Sequence, residues 1–185
     1  MGKEYSFVEE PFLNQLKTLG WDIINHGSEG IPFDSKVSLR DNFREIVIKS
    51  EFKKYVKSIN RTKHGQEWLT DKQLEDLYRD ITKVNFKSLL EANKALSEVI
   101  IHEKPRVDKN YVTGEENVAA KLIDFETIKN NHFLAINQFR IDTVGTAKKY
   151  IIPDIVLFVN GIPLVVVECK YPQSFAADAM EEGIK

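Results

Sequence analysis

The sequence contains one cysteine, Cys169, and no apolar run of membrane-spanning length. A single cysteine excludes an internal disulfide framework and a cysteine-rich zinc site, and it suits a reducing cytoplasm. The four histidines show no metal-ligand spacing, and the motif G-x-x-x-x-G-K-(S/T) is absent, so these residues predict neither a histidine zinc site nor a P-loop for ATP. We therefore expect a cytoplasmic protein with no membrane contact.

A strong charge of one sign is also lacking. The 26 lysines and arginines nearly balance 28 aspartates and glutamates, and the net charge of −2 does not by itself predict a polyanionic partner. Contact with a nucleic acid must then depend on a local patch. With 185 residues, 42% of them hydrophobic, the chain is long enough for one large domain or for a domain that carries an insertion.

Hydrophobic spacing is helical in the first part of the chain and strand-like in the last part. A capping box of Ser6 and Glu9 predicts the start of a first helix, and residues 40–103 predict about three more. Four strands are expected after a break in the pattern, at 119–125, 132–141, 150–159 and 162–170. This order predicts an α/β fold with an α+β-type mixed sheet flanked by helices.

The stretch PDIVLFVNGIPLVVVECK, residues 153–170, predicts a β-hairpin that turns at Asn160-Gly161. Both strands are almost wholly apolar, so we expect them to be covered on both faces in the centre of the sheet. Three charged residues nevertheless lie at the open end of the hairpin. Glu168 and Lys170 are two residues apart and so share one face, and Asp154 begins the other strand.

Whether Asp154 shares the face of Glu168 depends on the length of the turn. A two-residue turn places Asp154 opposite Val167, whereas a three-residue loop of residues 160–162 places it opposite Glu168. A one-residue slip exchanges the two faces of a strand. Because the charges are expected to converge, we predict the three-residue loop or an equivalent bulge.

Two carboxylates on one face repel each other unless a positive charge lies between them. Lys170 supplies one charge, and a hard divalent cation is the natural second. Mg²⁺ is commonly held by one or two carboxylates together with waters and phosphate oxygens. The motif therefore predicts a Mg²⁺ site at Asp154 and Glu168, against the simpler interpretation of a surface ion cluster at two strand ends.

This combination of residues resembles the PD-(D/E)xK nuclease superfamily. More narrowly, residues 117–172 resemble the N-terminal nuclease domain of type I restriction enzyme R (motor) subunits. The resemblance is carried by LIDF at 122–125, NNHFLAINQF at 130–139, the hairpin at 153–170 and the following Pro172. The end of the first helix, LKTLGW, is also similar to the opening of that domain.

The resemblance implies a restriction-endonuclease-like core that hydrolyses DNA phosphodiester bonds. It implies that Asp154 and Glu168 bind Mg²⁺ and that Lys170 positions or activates the attacking water. It places an additional acidic residue, a candidate third metal ligand, on the first helix, at Glu9 or alternatively at Glu10. It also implies a longer, ATP-driven protein that acts on double-stranded DNA with methylation and specificity subunits.

Under this resemblance, the chain is interpreted as one nuclease domain with its core at 1–35 and 104–185 and a helical insertion at about 36–103. The final FAADAMEEGIK is a helical pattern without a stop signal, so we expect the motor region, and a Gln-x-x-x-Tyr motif on the next helix, to follow Lys185.

Two further features are candidates for contact with DNA. Gln138 lies near the predicted site and could orient a water or a phosphate, although a hydrogen bond between strands is an equal alternative. A stripe of basic residues recurs every fourth position on one predicted helix, and this pattern indicates either a solvated face or a track for the DNA backbone. The members of this basic stripe are Lys49, Lys53, Lys57 and Arg61.

Two other functions remain open. A stand-alone repair or junction nuclease of the same superfamily would have the same three charged residues. A catalytically vestigial domain that docks partner subunits would keep the fold but bind no metal.

Overall fold

The computed structural model describes residues 4–28, 31–83, 88–143 and 149–171. Its α-helices are α1 (Glu10–Thr18), α2 (Lys49–Ile59), α3 (Asp71–Thr82) and α4 (Leu89–Glu98). Its strands are β1 (Asp22–Ile24), β2 (Arg106–Lys109), β3 (Glu116–Ala119), β4 (Phe133–Asn137), β5 (Ile141–Asp142), β6 (Tyr150–Ile151), β7 (Ile155–Val159) and β8 (Ile162–Val167). This mixed architecture confirms the predicted fold class, and none of the described helices has the length and apolarity needed to cross a membrane. The predicted final helix lies outside the described residues.

The chain divides into two compact units. The first comprises Met1–Ile46, Phe133–Phe158 and Pro163–Lys185, and the second comprises Val47–His132 and Val159–Ile162. The second unit overlaps the predicted insertion at 36–103 but continues through the β2–β3 hairpin. The predicted domain boundaries therefore stay a prediction.

The first unit is built on a sheet whose described strands have the order β1-β4-β7-β8. β1 runs parallel to β4, and hydrogen bonds from Gln138 N to Asp154 O and from Phe139 N to Pro153 O show that the chain beyond β4 runs antiparallel to the chain before β7. α1 covers this sheet, because its buried Leu13 and Leu16 belong to one apolar cluster with strand residues.

The two strands of the hairpin differ in burial. Ile155 and Phe158 of β7 are fully buried, as predicted, whereas Leu164, Val165 and Val166 of β8 are 45%, 47% and 61% exposed. Among the described strands, β8 lies at an end of the sheet. The prediction that both strands are covered on both faces is therefore wrong for β8, since an apolar sequence does not distinguish an edge from a centre.

The turn of the hairpin has two residues. β7 ends at Val159 and β8 begins at Ile162, and both intervening residues have positive φ, 51° at Asn160 and 76° at Gly161. This is the type I′ geometry that an Asn-Gly pair favours. The predicted three-residue loop is wrong, because the ordinary turn preference of the two residues prevails.

The tip of the hairpin is fixed within the second unit. The fully buried Asn160 donates through Nδ2 to Leu122 O and Asn131 Oδ1, both at 2.9 Å, and Gly161 O accepts from Ile48 N at 2.9 Å. These bonds satisfy an amide that would otherwise be costly to bury.

Three helices in the second unit confirm the prediction for residues 40–103. α2 and α3 pack through Phe52, Val56, Leu74 and Leu77, and a capping box of Thr70 and Gln73 begins α3. The strand predicted at 119–125 is wrong, because β3 ends at Ala119. The β2–β3 hairpin was missed because its polar, turn-rich sequence lacks a clear two-residue alternation.

Candidate active site

The three charged residues at the open end of the hairpin all lie outside its strands. Asp154 precedes β7, and Glu168 and Lys170 follow the end of β8 at Val167. A hydrogen bond of 2.6 Å from the Cys169 backbone N to Asp154 Oδ2 ties the two ends together. The segment that carries Glu168 and Lys170 is therefore held next to Asp154 by a side chain, and no strand register is required.

The Asp154 and Glu168 side chains are brought together. Partial burial raises the pKa of Glu168, and the negative charge of Asp154 and a hydrogen bond with it raise this pKa further, while the Lys170 ammonium lowers it. The two carboxyl groups meet although the turn has two residues, because the alternation of faces governs only residues within a strand. The catalytic roles of the three residues remain predictions.

Glu9, one of the two acids predicted for the first helix, lies close enough to this group to interact with Asp154. Its carboxylate, 3% exposed as a residue, accepts hydrogen bonds from Asn137 Nδ2 at 2.6 Å and from Gln138 Nε2 at 3.4 Å. Burial raises the pKa of Glu9, and the charge of Asp154 also raises it, against the lowering effect of the Asn137 hydrogen bond. Glu10, the alternative, is the first residue of α1.

The predicted capping box at Ser6 and Glu9 is wrong. A π-helical turn, Tyr5–Glu9, precedes α1, so the helical chain already includes Ser6, and its N-cap, Glu4, makes no side-chain capping bond. The Glu9 carboxylate instead accepts hydrogen bonds from the side-chain amides of Asn137, the last residue of β4, and of Gln138, the residue after it. Gln138 is therefore placed beside Glu9, while its predicted role with DNA stays a prediction.

Two site residues were missed from the sequence. Asn137 is fully buried and, besides Glu9, donates to Gly27 O and accepts from His26 N at 2.6 Å. An asparagine at the end of the apolar run FLAIN was the available signal. Glu4 accepts a hydrogen bond from Tyr171 N at 3.1 Å, and nothing in the local sequence indicates this contact.

The carboxylate pair fits the chemistry of a hard divalent cation. Within the described ranges, no three Asp, Glu, His or Cys side chains form a preassembled metal-ligand group. Mg²⁺ needs only one or two protein carboxylates when waters and phosphate oxygens complete its coordination. Asp154 and Glu168 are two such donors, and a bound cation would offset the repulsion between their negative charges.

A groove adjoins Glu168 within the first unit. Lys149 and Tyr150 lie on it together with the apolar side chains of Ile141, Ile152 and Val166. The Lys149 ammonium, the Tyr150 ring and the candidate catalytic carboxylate of Glu168 therefore line the same concave surface.

The basic stripe belongs to the second unit, where acids of α3 and the preceding loop face it. The prediction that all four residues share one helix is wrong for Arg61, because α2 ends at Ile59. Glu75 contacts Lys49 at 2.7 Å and Lys53 at 2.5 Å, and these two hydrogen bonds lower the pKa of Glu75 to about 2. Lys57 pairs with Asp71 at 3.2 Å and Arg61 with Glu67 at 2.8 Å. All four cations therefore have acidic partners within the protein, and their contact with DNA stays a prediction.

Comparisons with known proteins identify the family of the chain. The family model described as type I restriction enzyme R protein N terminus matches residues 2–185. The chain is 33% identical over 168 residues to the putative type I restriction enzyme MjaIXP endonuclease subunit of Methanocaldococcus jannaschii, covering 90% of this chain and 15% of that protein. It is 29% identical over 175 residues to the HindI endonuclease subunit of Haemophilus influenzae, covering 94% and 16%. The chain thus spans about a sixth of the length of these relatives.

Proposed function

The chain belongs to the family of type I restriction enzyme R protein N termini, and from this membership we propose that it is a metal-dependent nuclease domain that hydrolyses DNA phosphodiester bonds. The observation that carries the proposal is the pairing of Asp154 and Glu168 outside the hairpin strands, with the charge of Lys170 acting on Glu168. Similarity to proteins named as endonuclease subunits supports it.

Each residue has a definite task in this proposal. Asp154 and Glu168 would hold Mg²⁺, which would supply a Lewis acid for the scissile phosphate and for the attacking water. Lys170 orients the attacking water and offsets the negative charge that develops on the phosphate. Glu9 contributes negative charge near Asp154, and the side-chain amides of Asn137 and Gln138 hold its carboxylate.

The partners follow from the family. We propose that the full-length protein acts on double-stranded DNA with methylation and specificity subunits, and that ATP-driven translocation belongs to a motor region beyond Lys185. Cleavage by this domain should be non-specific in sequence, with the site chosen by the other subunits. The groove beside Glu168 is where a DNA strand would reach the carboxylates.

Calorimetric titration with Mg²⁺ and Mn²⁺ tests the metal site directly. The full-length wild-type protein should bind the metal, and Glu168→Gln, which keeps the shape of the side chain but removes a ligand charge, should bind it at least about tenfold more weakly. The same samples should differ in nicking of supercoiled plasmid. If the wild type and the variant bind metal equally weakly, the site is vestigial and the domain serves to dock partners.

A further inference from the structure

The four residues after β8, Glu168 to Tyr171, form no strand. The ladder hydrogen bonds that position a strand are thus replaced by two bonds to side chains. Asp154 Oδ2 accepts from Cys169 N at 2.6 Å, and Glu4 Oε1 accepts from Tyr171 N at 3.1 Å. Lys170 lies between these two anchored amides, so the backbone is fixed on both sides of it.

The contact with Glu4 is part of a small clamp. The ring of Phe7, on the same helical turn, lies 5.7 Å from the ring of Tyr171 between centroids, at an interplanar angle of 44°. The beginning of the first helix thus holds both the backbone and the side chain of Tyr171. Residues 4 and 171 stand 167 positions apart in sequence, so this clamp closes the first unit across the end of the hairpin.

Glu4 also lies within electrostatic reach of the candidate site. Its negative charge is among the causes that raise the pKa of Glu9 and of Glu168. This effect depends on the charge of Glu4 and not on its contact with Tyr171. Its hydrogen bond to the segment that carries Glu168 and Lys170 provides a separate role.

We propose that Glu4 is a positioning residue for the nuclease reaction: by accepting the Tyr171 N–H it holds the segment from Glu168 to Tyr171 so that Lys170 stays aimed at the reacting phosphate. The inference rests on the function proposed above. Glu4 acts through the backbone and touches neither metal nor DNA. This positioning role requires a side-chain oxygen that accepts the Tyr171 N–H, and it does not require the negative charge of Glu4.

This distinction makes Glu4→Gln and Glu4→Ala an informative pair. The amide oxygen of glutamine can still accept the Tyr171 N–H, whereas alanine cannot. In plasmid nicking by the full-length protein, Glu4→Ala should lower kcat about ten- to a hundredfold, because a small misplacement of a catalytic group has effects of this size. KM for DNA should not change, and Glu4→Gln should recover kcat to within about threefold. The Mg²⁺ midpoint should be the same in both variants, because both remove the charge of Glu4. Asn14→Ala, an exposed change on α1, serves as the control.

The opposite results are equally clear. Wild-type kcat in Glu4→Ala would overturn the inference, and so would a loss in Glu4→Gln as deep as in Glu4→Ala, which would assign the role to the charge of Glu4. If instead Lys170→Ala cuts as fast as the wild type, the proposed function itself has failed.

Amide hydrogen exchange gives a readout that does not depend on activity. A peptide that contains Tyr171 should exchange faster in Glu4→Ala than in the wild type and at the wild-type rate in Glu4→Gln. Equal exchange in all three proteins would show that the Glu4 bond does not hold this segment, and the inference would then be wrong.

Discussion

The Asp154 carboxylate and the Cys169 backbone are joined by a hydrogen bond of 2.6 Å, from Cys169 N to Asp154 Oδ2. This bond gives Asp154 two tasks, because the carboxylate proposed to hold a metal also holds the segment that supplies Glu168 and Lys170. Substitutions that separate the two tasks should therefore behave differently.

Asp154→Asn should lose metal affinity but keep the segment in place. Its Oδ1 can still accept the Cys169 N–H, whereas Asp154→Ala leaves that buried backbone donor unpaired at a cost of about 1–3 kcal/mol. We expect calorimetry to show weak Mg²⁺ binding for both variants, and amide exchange near Cys169 to be faster only for alanine. Equally fast exchange in both would contradict the structural task of Asp154.

Gly161→Ala should destabilise the second unit strongly. A Cβ at this position would lie 2.6 Å from both Ile48 O and Phe52 N, which are backbone atoms and cannot move aside cheaply. Gly65 has a similar φ, +80° against +76°, but open space around it, so Gly65→Ala is the matched control.

The two glycine variants should differ in their free energies of unfolding. We expect a loss of about 1–2 kcal/mol for Gly65→Ala from its left-handed backbone, and about 1–3 kcal/mol more for Gly161→Ala from overpacking. Urea unfolding can be followed by the fluorescence of the buried Trp68 in a Trp21→Phe background. Equal losses would mean that the turn is not packed against α2.

Glu75 should stabilise the second unit in a pH-dependent way. Hydrogen bonds from Lys49 and Lys53 lower the pKa of Glu75 to about 2, from 4.5. A depressed pKa contributes stability that is present above the unfolded value and is lost as the pH falls through the folded value. The wild type should therefore be more stable than Glu75→Gln near neutral pH, and the difference should vanish near pH 2. A difference that does not change with pH would rule out this ion pairing.

The basic stripe has a test that takes its acidic partners into account. Replacing its four cations by glutamine removes their charge without placing new acids beside Glu75. If the stripe binds DNA, affinity should weaken and the slope of log K against log salt should fall by about 0.9 for each phosphate that the stripe neutralises in the wild type. An unchanged slope would leave the stripe as an ion-paired surface of the second unit. The control replaces four exposed lysines of the same unit, Lys63, Lys72, Lys83 and Lys94.

The composition of the hairpin was sufficient to locate the candidate site. Apolar strands with acids and a lysine only at their open end indicated where charge must gather, and the structure places Asp154 beside Glu168 there. The three-residue loop predicted to bring them together is wrong, and the alternative of a bulge stays a prediction. The rule of alternating faces was applied to residues outside the strands, where the bond between Cys169 and Asp154 decides the geometry.

Other features depend on tertiary contacts that local patterns do not contain. Asn137 reaches Glu9 across 128 positions, and the acid that faces Lys49 and Lys53 lies on another helix. The exposure of β8 has the same origin, because an apolar run has the same sequence at the edge of a sheet as in its centre. Local sequence patterns therefore indicated which charged residues lie together but not the tertiary contacts that hold them.

The most direct test of the proposed chemistry is the rate at which the full-length protein nicks plasmid DNA when Lys170 is replaced by alanine. Lys170→Ala should cut at least about a hundredfold more slowly than the wild type and Lys17→Ala, while ATP hydrolysis and Mg²⁺ binding persist. Cleavage by Lys170→Ala at the wild-type rate would contradict the assignment of this site.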